Sequence, residues 1–130
     1  QTKKIKSIIK KKNKIFEWNK IELKKFKNIR FFENFKNTIS SNWLVTFIFE
    51  NITEIKRDKI IHELSKEGIE CRPMFYPASK MEIYKNFKDK KKNYNVNSLK
   101  GISLPSSPNI SKEDVRNICQ KLIKISNLEV

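Results

Sequence analysis

The sequence predicts an α+β fold: a small, mostly antiparallel sheet covered by helices on one face, preceded by a long N-terminal helix. Three observations carry that expectation. Residues 2–26 repeat apolar side chains at seven-residue spacing among lysines; "NWLVTFIFE" (42–50) is a dense run of β-branched and aromatic residues; and Val115, Ile118, Cys119 and Leu122 recur at i, i+3, i+4 and i+7. At 130 residues the chain is the size of one domain with one hydrophobic core, so residues 1–130 read as a single unit.

The first helix follows from Ile8 and Ile15, and from Ile9, Phe16 and Leu23, with Ile5 and Trp18 beside them and lysines between. A polar linker then leads to the strand at 42–50. In "KRDKIIHELSKEG" (56–68), Ile60, Ile61 and Leu64 share one helical face, and Gly68 is placed to end the helix in a left-handed conformation. "IECRPMFY" (69–76) reads as a second strand, at a sheet edge because Pro73 cannot donate to a ladder. The lysine run "KDKKKNYN" (88–95) is expected as a solvated loop, and "GISLP" (101–105) as a short strand closed by the turn residues "PSSPN". Ser111, with Asp114 three residues on, forms a capping box that opens the last helix. Cys119 on that helix is expected to be buried and unreactive, with Cys71 at least as accessible.

The formal net charge of +15 on its own suggests nucleic acid or an anionic membrane surface. Composition offers a plainer cause. Of 29 basic residues only Arg30, Arg57, Arg72 and Arg116 are arginine, Ile and Asn are abundant, and Ala78 is the sole alanine, as A/T-rich codons dictate. A surface built to read nucleic acid uses arginine for bidentate contacts, so no specific nucleic-acid partner is expected. The alternative function is a lysine-rich nucleic-acid-binding module that uses Phe16 and Trp18 of the first helix.

Other classes fall away. No apolar run approaches the ~18–20 residues that cross a bilayer, and no membrane partner is expected. Cys71 and Cys119 are far apart without a Cys-x-x-Cys spacing, and His62 is the only histidine, so no metal site is expected. This cysteine usage points to a reducing, cytoplasmic setting. With glycine only at 68 and 101, the chain has neither a P-loop nor a GxGxxG loop. It starts at Gln1 in the middle of a helical pattern and is expected to be a piece of a longer protein.

"GIECRPMFYPASKMEIY" (68–84), with "KRDKIIHELSKEG" before it and "SLKGISLPSSPNISKEDVRNICQKL" (98–122) after it, resembles the C-terminal portion of the DegT/DnrJ/StrS family. These are pyridoxal-phosphate-dependent nucleotide-sugar aminotransferases. The pattern falls on Gly68, Ile69, Arg72, Pro73, Phe75, Tyr76, Pro77 and Tyr84, then on Ser103, Leu104, Pro105, Pro108 and Ser111. The opening helix is also similar to the one that starts the family's small domain, so the resemblance is weakest between residues 24 and 42.

The resemblance implies a small C-terminal domain of a fold-type I enzyme. The large domain, absent from this chain, then carries the Schiff-base lysine and the carboxylate that pairs with the pyridoxal phosphate ring nitrogen. No catalytic or cofactor-binding residue is accordingly expected here. The implied reaction moves an amino group, from a donor such as glutamate, through a pyridoxamine form to a nucleotide-linked keto-sugar in polysaccharide or glycan biosynthesis. The implied full-length enzyme is a homodimer. Substrate-binding residues implied for this chain are Arg72, Tyr76 and Ser79. A guanidinium suits a carboxylate or diphosphate, and an extended residue before proline holds its direction. The plainer alternatives are a surface salt bridge for Arg72 and a core aromatic for Tyr76. Where many members read Tyr-Pro-x-His, this chain has Tyr76-Pro77-Ala78-Ser79, which keeps a hydrogen-bonding group and loses the imidazole's titration.

Overall fold

The computed structural model describes residues 2–78, 81–84 and 96–127. After a 3-10 turn at Thr2–Lys4, the chain forms α1 (Ile5–Leu23), β1 (Ile29–Phe31), β2 (Val45–Phe49), α2 (Glu54–Lys66), β3 (Arg72–Pro73), β4 (Gly101–Leu104) and α3 (Lys112–Ser126). The four strands make one sheet in the order β1-β2-β4-β3, antiparallel throughout. The expected α+β architecture is therefore present, long first helix included.

Register decides which side chains meet. Val45 lies opposite Leu104, and Phe47 opposite both Ile102 and Phe31. Because neighbouring strand residues point to opposite faces, these side chains share one face, with Ile29 and Phe49. They pack with Ile15 and Leu23 of α1, Ile60 and Leu64 of α2, and Val115, Cys119 and Leu122 of α3 into a single core. Phe16 and Trp18 also pack against this core, Phe16 edge-on to Phe31 with ring centroids 5.5 Å apart. The two rings that a nucleic-acid module would have offered for stacking are thus partly taken up by core packing.

Caps fix the helices that flank the sheet. The Thr53 hydroxyl accepts from the Lys56 amide at the start of α2. At its end, Gly68 takes φ +75°, while the Ile69 amide donates to the Leu64 carbonyl and the Gly68 amide to that of Ser65. This is the paired bonding of a left-handed helix stop. At α3, the Ser111 hydroxyl accepts from the Asp114 amide, and the Asp114 carboxylate accepts from the Ser111 amide. These bonds to Ser111 hold the Asp114 carboxyl below its usual range.

Several expectations need correction. β1 lies inside what reads as a polar linker. The strand expected at 69–76 is only Arg72–Pro73, though at the sheet edge as anticipated. Pro73 and Pro77 supply no amide, and after the Met74 amide reaches the Gly101 carbonyl the ladder stops. Ile5 and Ile8, counted as part of the apolar stripe of α1, are exposed because that end of the helix extends beyond the core. The loop expected at 88–95 lies outside the described residues. Cys119 is fully buried and Cys71 nearly so; burial pushes both thiols up to about 12.

Gly101 sits against Met74, the residue that follows β3. A Cβ at that position would lie 2.7 Å from Met74 Cβ and 2.9 Å from its Sδ. Gly101→Ala should therefore push β3 away and cost about 1–3 kcal/mol in denaturant unfolding. Adding Met74→Gly should make the two costs non-additive in the recovering direction; full additivity would mean that this contact does not set the spacing. Native Cys71 and Cys119 should both resist a thiol reagent until the chain unfolds, which mass spectrometry of labelled protein reads directly.

Candidate functional site: the open face of the sheet

The face of the sheet turned away from the helices carries a polar row. Thr46 of β2, Ser103 of β4 and Arg72 of β3 lie opposite one another in register. The Thr46 and Ser103 hydroxyls are 2.8 Å apart and satisfy each other. Above this row runs a groove of about 1150 Å³, lined by Met74 and Phe75, by the 32–44 segment, and by Asn13, Phe16 and Lys20 of α1. Its rim is unusually apolar for an exposed surface. Phe32, Phe35, Ile39, Trp43 and Phe75 are all exposed.

One lysine holds the wall in place. Lys12 Nζ donates to the Trp43 carbonyl at 2.9 Å, to the Ser106 carbonyl at 2.5 Å and to the Ser106 hydroxyl at 3.3 Å. The Ser106 hydroxyl in turn donates to the Trp43 carbonyl. At the next residue of α1, the Asn42 side-chain amide donates to the Asn13 side-chain oxygen at 2.8 Å. Two hydrogen-bonding side chains of α1 thereby tie down the entry to β2 and the turn after β4. Partial burial lowers the pKa of Lys12 from the ordinary lysine value.

The three residues singled out in the sequence have different placements. Arg72 lines the groove, with its guanidinium exposed and 2.9 Å from the Glu70 carboxylate. That ion pair is exposed on both sides, so water screens it strongly and it leaves the guanidinium available. Tyr76 is half exposed and does not line the groove. Ser79 lies outside the described residues. Sequence reasoning assigns no site role to Trp43, Thr46, Ser103 or Lys12, although Ser103 falls within the family pattern. The signal for two of them was present: Thr46 and Ser103 are polar interruptions of otherwise apolar strands.

The described residues offer no cradle for pyridoxal phosphate. One glycine ends α2 and the other lies within β4, leaving no glycine loop to cradle a phosphate. Lys12, the lysine whose amine burial perturbs, has its Nζ committed to three oxygens rather than free to condense with an aldehyde. What the groove offers is recognition: a cation, a hydroxyl pair and aromatic surface.

Comparison with known proteins gives the geometry its context. The model of the DegT/DnrJ/EryC1/StrS aminotransferase family matches residues 1–123. The chain belongs to that family. Within it, the GDP-perosamine synthase of Vibrio cholerae is 32% identical over 121 residues, covering 92% of this chain and 33% of that protein. Spr1654 of Streptococcus pneumoniae, assigned as a sugar aminotransferase and solved in forms with pyridoxal and pyridoxamine phosphate, shares the fold at a TM-score of 0.81 and 23% identity. The match covers 98% of this chain and 33% of that one. Helicobacter pylori PseC, an aminotransferase of pseudoaminic acid biosynthesis, follows at a TM-score of 0.79 and 20% identity, over 98% of this chain and 35% of its own. The chain thus spans about a third of the length of the DegT/DnrJ/EryC1/StrS proteins it matches.

Lys12→Met keeps the aliphatic stem and removes all three bonds to Trp43 and Ser106. Unfolding should show a loss of about 1–3 kcal/mol, because the partly buried Ser106 oxygens lose a charged donor. Unchanged stability would show that water replaces the ammonium at no cost.

Proposed function

We propose that this chain is the C-terminal small domain of a pyridoxal-phosphate-dependent aminotransferase that acts on a keto-sugar carried by guanosine diphosphate, with glutamate as the amino donor. The family match over residues 1–123 carries the proposal. The curated relatives that are GDP-perosamine synthases favour the guanosine carrier. In this reading the cofactor and its chemistry belong to the part of the enzyme outside this chain, which works as a cytoplasmic homodimer in glycan synthesis. No helix among the described residues is long and apolar enough to cross a membrane.

The role left to this domain is to complete the substrate cleft. Arg72 would meet the anionic carrier, exchanging its solvent-exposed bond to Glu70 for charge-assisted bonds in a drier cleft. Tyr76 and Ser79, further along the same segment, would complete the contact with the sugar. The direction of Arg72 follows from the fold: β4 fixes its backbone through Ser103, and Pro73 restricts its ψ to the extended range.

In the full-length enzyme, Arg72→Ala should lower kcat/KM for the nucleotide-sugar by about 10- to 100-fold, the worth of one charged hydrogen bond. The half-reaction with glutamate, followed by cofactor absorbance in stopped flow, should keep its rate. Equal loss in both halves would assign Arg72 to donor or cofactor binding instead. The isolated 130-residue chain should show no transamination.

A further inference from the structure

The aromatic pairs of this domain fall into two kinds. In the core, Phe47 and Phe49 meet edge-on at 77° with both rings fully buried. On the groove wall, Trp43 and Phe75 lie 6.2 Å apart at an interplanar angle of only 30°, and they are 65% and 69% exposed. Trp43 lies just before β2 and Phe75 just after β3, and both exposed rings line the groove. The backbone under Trp43 is fixed by Lys12 and Ser106. A platform with a fixed backbone has part of its ordering cost settled before any ligand arrives.

We propose that Trp43 and Phe75 form the surface on which the base of a nucleoside diphosphate stacks, with Arg72 receiving the diphosphate. This assignment rests on the aminotransferase reading above and adds to it the residues that recognise the carrier. Three features of the groove select the ligand class. A flat, exposed ring surface suits a planar base, which stacks whatever its edge. The guanidinium of Arg72 suits a diphosphate. The spacing agrees with both, since Phe75 follows Arg72 by three residues along a chain that spans at most about 10 Å over that length. The paired hydroxyls of Thr46 and Ser103 lie beside Arg72 on the floor and offer further polar contacts to the phosphates.

Calorimetric titration of the full-length protein with GDP and with inorganic pyrophosphate tests this. Trp43→Ala should weaken GDP binding by about 5- to 150-fold, the loss of one base–aromatic stack, and leave pyrophosphate binding unchanged. Trp43→Phe keeps a ring and should bind GDP within a few-fold of the unaltered protein. Arg72→Ala should weaken both ligands. If Trp43→Ala binds GDP as well as the unaltered protein does, the stacking surface is overturned and the aminotransferase reading stands. If Trp43→Ala loses both ligands together with thermal stability, the ring packs against the rest of the polypeptide, and the proposal is again overturned. If the unaltered protein binds neither ligand, the proposed guanosine diphosphate carrier fails and the stacking surface fails with it.

Discussion

The pairing of Phe47 with Ile102 determines where every other side chain of the sheet points. A slip of one residue between β2 and β4 would put Thr46, in place of Phe47, on the face that Ile102 occupies, so that Thr46 would enter the core and Phe47 turn out to water, because side chains alternate with a period of two. The penalty is large at both ends, with fully buried rings exposed on one side and hydroxyls desolvated on the other. With the register set, the helices can cover only the apolar face. The polar row on the opposite face is then a necessary product of the same alternation, and Arg72 joins it because β3 pairs with β4 in the matching register.

How far the sequence reveals this depends on how local each signal is. α3 is legible because its cap, Ser111 with Asp114, and its stripe, Val115 to Leu122, lie within a dozen residues. β2 is legible because five consecutive residues favour a strand. β1 is not: Ile29–Phe31 carries only three residues, and what makes them a strand is the presence of Phe47–Phe49 alongside. The length of β3 was misjudged because hydrophobic composition suggested pairing that Pro73 and Pro77 prevent. In the groove, Arg72 stood out through its neighbours in the chain. Trp43, Lys12 and Ser106 could not, since Lys12 meets Ser106 across 94 positions and Thr46 meets Ser103 across 57. Contacts of that span come from the fold and leave no pattern in a window.

Charge in this protein divides by residue type. Each of the four arginines is paired: Arg30 with Glu50, Arg57 with Glu54 and Asp58, Arg72 with Glu70, and Arg116 with Glu22 and Glu113. Arg57 is the buried one, its guanidinium placed between two carboxylates of its own helix and the Gly101 carbonyl, which it approaches at 3.5 Å. A planar fork can satisfy several acceptors at once, which a lysine ammonium at that site could not reproduce. Most lysines of α1 are instead exposed, as base composition would leave them, and Lys12 is the member of that helix recruited into the architecture.

Pro73 has one more effect. It occupies the outermost strand of the sheet, where an unpaired row of amides and carbonyls could capture a strand from another molecule. Pro73 has no amide to offer, and β3 is two residues long. The opposite edge, β1, is three residues long, with exposed Arg30 at its centre. A sheet built around a strand as apolar as Val45–Phe49 would otherwise be a template for cross-molecular pairing. Among the described residues both borders are short, and one is chemically incomplete, which discourages a foreign strand from extending the sheet.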